Sequence, residues 1–111
     1  MQTDAFAAAP GRETVFFDRR ELDAILRVYG RMVALGEWRD YAIERGREHV
    51  AFAVLERAAQ QPLYRIEKRP ALAQKQGEWA LLGQGGHVLK RGRELAAVLR
   101  FFDRKRFSVV D

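Results

Sequence analysis

Metal coordination by side chains asks for several His, Cys, Asp or Glu converging at short spacings. His49 and His87 are the only histidines, they lie far apart, and the chain has no cysteine. No metal site is expected, and each histidine reads as an incidental surface or hairpin residue. A nucleophile fares no better. Ser108 is the only serine, and Thr3 and Thr14 sit in or beside an irregular opening segment. A Ser–His–acid arrangement needs the hydroxyl held beside an imidazole, and nothing in the spacing does that. A glutamate with a shifted pKa can serve as acid or base, but none stands out. No catalytic residue, cofactor-binding residue or cofactor is assigned.

Gly83–Gln84–Gly85–Gly86 is glycine-rich but lacks the G-x-x-x-x-G-K-[ST] pattern, and it joins two strand-like runs rather than opening a helix. A tight hairpin explains it. Lys90–Arg91–Gly92–Arg93 is different, because it lies where a strand meets a helix N-terminus, an end that favours anions. Charge strengthens that observation. Residues 1–61 carry 9 Lys and Arg against 10 Asp and Glu, whereas residues 62–111 carry 11 against 5. The second half is thus net +6 and the first net −1. Lys68, Arg69, Lys75, Lys90, Arg91 and Arg93 are the candidate contacts for an anion or nucleic acid. Tyr64 and Trp79 are interleaved with them, as in sheets that stack single-stranded bases. The bland alternative is a plain sheet with aromatics inside and cations outside. The 16 Arg, 4 Lys and 16 Ala also match GC-rich codon usage.

The elements that must position these residues follow from periodicity. Residues 1–13 show none and read as a flexible tail, leaving residues 14–111 as one domain. A chain of 111 residues, 48% hydrophobic, suits a single core. Thr14–Phe17 reads as a strand or extended lead-in. Asp18, with Glu21 three residues on, is a capping box. It opens a helix over 19–35 with Leu22, Ile25, Leu26, Tyr29, Met32 and Val33 on one face and Gly36 just past its end. Alternation then marks strands at 39–44, 49–57 and 63–69, with a helical turn over Leu55–Gln61 as the alternative for the end of the second. Two more, at 78–82 and 87–91, flank the glycine loop. A second helix starts near Gly92 or Arg93 with Leu95, Val98, Leu99 and Phe102 inward, and Phe107–Val110 reads as a last short strand. Strands clustered between helices predict an α+β fold: an antiparallel meander sheet of about four to five strands, flanked by an N-terminal and a C-terminal helix.

Several of these strings together resemble a known family. Val15–Leu22, Tyr29–Val33, Gly36–Ile43, Pro62–Pro70 and Leu89–Gly92 are similar to short alphaproteobacterial proteins grouped as domain of unknown function twenty-seven ninety-four. The resemblance covers residues 15–107. It implies an uncharacterised bacterial family with no assigned reaction or site residues, and a GC-rich source for the arginine excess.

The opening stretch Met1–Pro10 has no basic segment, and its apolar run is too short for a signal core. No stretch reaches the ~18–20 apolar residues of a membrane helix. The expected compartment is the cytoplasm, which also suits the missing cysteine. The leading functional reading is a basic, non-enzymatic binding or regulatory domain. Its partner is unknown, with a nucleic acid or protein partner and a homodimer open and no membrane, and the first alternative is nucleic-acid binding through the basic surface of residues 62–93. A small enzyme or small-molecule sensor is the second alternative.

Overall fold

The first helix begins where the capping sequence directs it. In the computed structural model, which describes residues 14–56 and 61–110, α1 spans Arg19–Ala34. Asp18 Oδ1 accepts from the Glu21 N–H at 2.8 Å, and Glu21 Oε1 accepts from the Asp18 N–H at 2.8 Å. Gly36 follows the helix at φ 80°, left-handed geometry that glycine adopts without a Cβ penalty. The segment Thr14–Asp18 is irregular rather than a strand. Residues 1–13, read as a tail, lie outside the described residues.

The buried stripe of α1 is rotated from the expected one. Ile25, Val28 and Met32 are buried, while Leu22, Leu26 and Tyr29 are half-buried and Val33 is exposed. Successive residues turn by about 100°. Burying Val28 between Ile25 and Met32 therefore swings Val33 off the contact.

Five strands follow: β1 (Asp40–Arg45), β2 (Val50–Leu55), β3 (Tyr64–Lys68), β4 (Trp79–Gly83) and β5 (Val88–Gly92). All neighbours are antiparallel, in the order β1-β2-β3-β4-β5. Short connections impose this meander. A glycine-rich hairpin joins β4 to β5, with Gly85 and Gly86 at φ 94° and 93°. Pro70–Leu72 forms one 3-10 turn between β3 and β4.

The register defines two faces, since directly paired residues point the same way. One face carries Phe52, Ile66 and Leu81 in one row and Val54 and Tyr64 in the next. Both helices cover this face. α2 (Leu95–Val110) adds Val98, Leu99 and Phe102 to the core. The Phe102 ring meets Trp38 edge-on at 4.9 Å and Tyr64 at 5.1 Å. Phe17, just before α1, stacks on Trp79 at 6.1 Å. Arg31 and Asp103 tie the helices together at 2.8 Å.

Phe107–Val110 is not a strand, because α2 continues through Val110. An established helix gains one hydrogen bond per added residue with no new nucleation. A short strand would need an edge beside it.

Candidate nucleic-acid interface

Among the described residues, no helix lies on the second face of the sheet. Its central rows are Glu44–Ala51–Glu67–Ala80–Arg91 and Ala42–Ala53–Arg65–Leu82. Ala51, Ala53 and Ala80 are nevertheless buried, and Glu67 is only 8% exposed. Their in-register neighbours are long charged side chains that lie across the small ones. Glu44 pairs with Arg65 at 2.7 Å, and Glu67 with Arg69 at 3.3 Å. Strand alternation in the sequence put Arg65, Glu67 and Arg69 on this face. It did not reveal that acids would neutralise two of the arginines.

Lys68, Arg69, Lys75, Arg91 and Arg93 lie towards one end of β3, β4 and β5, though not on one face, and Lys90 sits mid-strand opposite Leu81. Lys68 ends β3 on the helix-covered face. Its Nζ donates to Glu21 Oε1 at 2.7 Å and to Phe16 O at 2.9 Å, so it is engaged in holding α1 down. Lys90 shares the Ile66–Leu81 row and lies on that same side. Arg69 and Arg91 belong to the open face. Arg69 is paired with Glu67, while Arg91 donates to Gly77 O at 3.2 Å. Lys75 and Arg93 are exposed and are brought near by a close backbone approach. A Cβ on Gly77, at φ 105°, would stand 2.5 Å from Gly92 O. The turn holding Lys75 thus packs against the end of β5. Among the described residues, Lys75, Lys90, Arg91 and Arg93 take part in no ion pair.

The interleaved aromatics do not face outward with these cations. Tyr64 and Trp79 are on the helix-covered face, Trp79 being 3% exposed. The exposed aromatics Phe16 and Tyr41 lie towards β1, with Arg45 over the Phe16 ring at 4.6 Å. Tyr64 and Trp79 therefore offer no stacking platform on the face that carries Arg69 and Arg91.

A groove of about 410 Å³ opens at the other end of the sheet. Trp38, Tyr64 and Leu89 give it apolar walls, and Glu37, Glu56 and His87 give it polar ones. Sequence spacing could not find it, because its residues come from five separate segments. Nearby, Tyr29 packs on Tyr41 and Phe52. Burial, then the Asp40 carboxylate and Tyr41, push its phenol above the ordinary value. Among the described residues, no group of three or more His, Asp or Glu could hold a metal ion. No helix among them is long and apolar enough to cross a membrane.

This geometry is that of a two-layer α+β domain, with no helix on one face of its sheet among the described residues. The chain belongs to the family described as protein of unknown function (DUF2794), whose model matches residues 15–99. Neither the curated proteins nor the solved structures contain a match to it.

Proposed function

We propose that this chain is a non-enzymatic cytoplasmic binding domain that docks nucleic acid by its phosphate backbone, through the cationic end of β3–β5. One observation supports the reading: Lys75, Arg91 and Arg93 near that end, and Lys90 mid-strand beside them, take part in no ion pair among the described residues. Lys68 and Arg69 add less, since each already holds a carboxylate. With Trp79 in the core and Tyr64 turned to the helix-covered face, contacts to phosphate give affinity without sequence preference. The cysteine-free composition suits a reducing compartment.

The test is fluorescence anisotropy with labelled duplex and single-stranded oligonucleotides across a salt series. Each phosphate contact contributes a slope of about −0.9 in log K against log salt on duplex, and about −0.7 on single strands. If all four unpaired cations engage, the duplex slope is about −3 to −4. Reversing Lys90 and Arg91 to Glu weakens every sequence alike. The control reverses Arg27 and Arg39, both exposed and away from this end. Arg19 and Arg20 are unsuitable controls, because Phe17 and Glu21 bring the start of α1 to the same end. Equal loss in both double variants, or no binding at low salt, overturns the proposal.

A second reading rests on the groove. Its aromatic walls and two carboxylates suit a small organic cation, as in a small-molecule sensor. Thermal shift against a panel of amines, repeated with Glu56→Gln, tests it. A panel that leaves the melting temperature unchanged removes this reading.

A further inference from the structure

We infer that β1 is a self-pairing edge: two copies of this chain join antiparallel through β1, about a two-fold axis at Ile43. The inference is independent of the cationic end of the sheet.

The hydrogen-bond phase of β1 supplies the first argument. The Gly46 N–H donates to His49 O at 2.9 Å, and the register continues as Arg45↔Val50 and Glu44↔Ala51. Bonded and non-bonded pairs alternate along an antiparallel ladder. Ala42 and Glu44 therefore turn their N–H and C=O groups toward β2, while Tyr41, Ile43 and Arg45 turn theirs outward. The Tyr41 N–H shows this independently. It donates to the Asp40 carboxylate at 2.8 Å.

The two edges of the sheet differ. β5 is interrupted by a register shift that leaves Leu89 without a partner, and it carries Lys90 and Arg91. Bulges and basic residues are the usual means of blunting an edge. β1 is regular over all six residues, with no proline or bulge. Tyr41 and Ile43 on it are 41% and 39% exposed, and Phe16 beside it is 53% exposed. Among the described residues no strand pairs with the outer side of β1, and an edge with outward backbone groups and exposed apolar side chains is a template for another strand.

Charge selects a second copy as the occupant and sets the register. An axis at Ala42 faces Asp40 with Glu44 of the second copy. An axis at Glu44 sets the two Glu44 side chains against each other. Like charges directly opposite are unfavourable. An axis at Ile43 avoids both. It pairs Ile43 with Ile43, Tyr41 with Arg45 of the second copy, and Ala42 with Glu44 of the second copy. Every outward N–H and C=O of Tyr41, Ile43 and Arg45 then finds a partner. Arg45 already covers the Phe16 ring, and Tyr41 of the second copy brings it a second aromatic face. The product is one continuous sheet with all helices on the same side.

Because the chain has no cysteine, a single introduced thiol reports the register. Directly bonded antiparallel pairs have Cα atoms about 5.5 Å apart, within the range a disulfide spans. Ile43→Cys is expected to form a disulfide-linked dimer under mild oxidation, and Val88→Cys, 50% exposed on the other edge, is not. In sedimentation velocity the wild type is expected to show a monomer–dimer equilibrium. Ile43→Lys, which sets two ammonium groups together at the axis, is expected to weaken it at least about tenfold. Circular dichroism and melting confirm that this exposed substitution leaves the fold intact. A wild type that stays monomeric to its solubility limit overturns the inference. So does equal cross-linking of the two cysteine variants, or an Ile43→Lys protein that still dimerises.

Discussion

Glu44 Oε1 and Arg65 Nε meet at 2.7 Å, although one lies on β1 and the other on β3. The two strands are separated by β2, so the bridge crosses roughly 9.6 Å of sheet, two strand spacings. It passes over Ala51 and Ala53, both 1% exposed, where only a small side chain leaves room. The helix-free face is thus roofed by its own charged side chains rather than by a third layer.

This arrangement predicts a conditional coupling. A double-mutant cycle on Glu44→Gln and Arg65→Gln should give about 0.2–1 kcal/mol, falling with salt, because both side chains are partly solvated. In an Ala53→Leu background the coupling should vanish, since the isobutyl group blocks the crossing. Urea melts of the two cycles make the comparison, and an unchanged coupling would refute the geometry.

For α1, Ile25→Ala should cost about 2–5 kcal/mol through lost burial and a cavity. The half-buried Leu26 should cost clearly less. Asp18→Ala should cost about 1 kcal/mol by loss of the cap. Glu21→Ala should cost more than Glu21→Gln, because the amide keeps the reciprocal cap while alanine loses that and the Lys68 contact. Denaturant midpoints of the five variants order these effects.

Gly77 and Gly85 separate two kinds of glycine requirement. Both have positive φ, but a Cβ at Gly85 meets nothing within 4 Å, whereas at Gly77 it stands 2.5 Å from Gly92 O. Gly85→Ala should cost about 1–2 kcal/mol from the left-handed backbone alone. Gly77→Ala should cost more and should weaken oligonucleotide binding, because it displaces the turn that carries Lys75 and holds Arg91. Melting temperature and anisotropy on the same samples test both halves.

The raised Tyr29 phenol predicts an alkaline limb in stability. Its neutral form is favoured in the folded protein, first by burial and then by the Asp40 carboxylate. The unfolded chain therefore releases this proton first. The contribution is intact below about pH 10, the ordinary tyrosine value, and is lost as pH rises from there through the folded value. Melting temperature across alkaline pH should fall less steeply for Tyr29→Phe than for the wild type. Parallel curves would remove Tyr29 as the cause.

Much of the architecture was already legible as local chemistry. The Asp18–Glu21 box, the strand alternation and the glycines of the β4–β5 hairpin each act within a few residues. They determine element type and, through short connections, a meander. The sequence also concentrated cations in its second half. Only the tertiary structure decided how those cations divide. Whether Lys68 is free or bound depends on Glu21, far away in the chain, and whether Arg65 is neutralised depends on Glu44, two strands away. The same holds for Tyr41 and Ile43, which alternation places on one face of their strand without saying whether it is covered. They are exposed because β1 is an edge, and edge position follows from sheet order rather than from the strand itself. Local sequence sets backbone preference and periodicity. Pairing, burial and the sharing of charge between distant segments exist only once the chain has closed on itself.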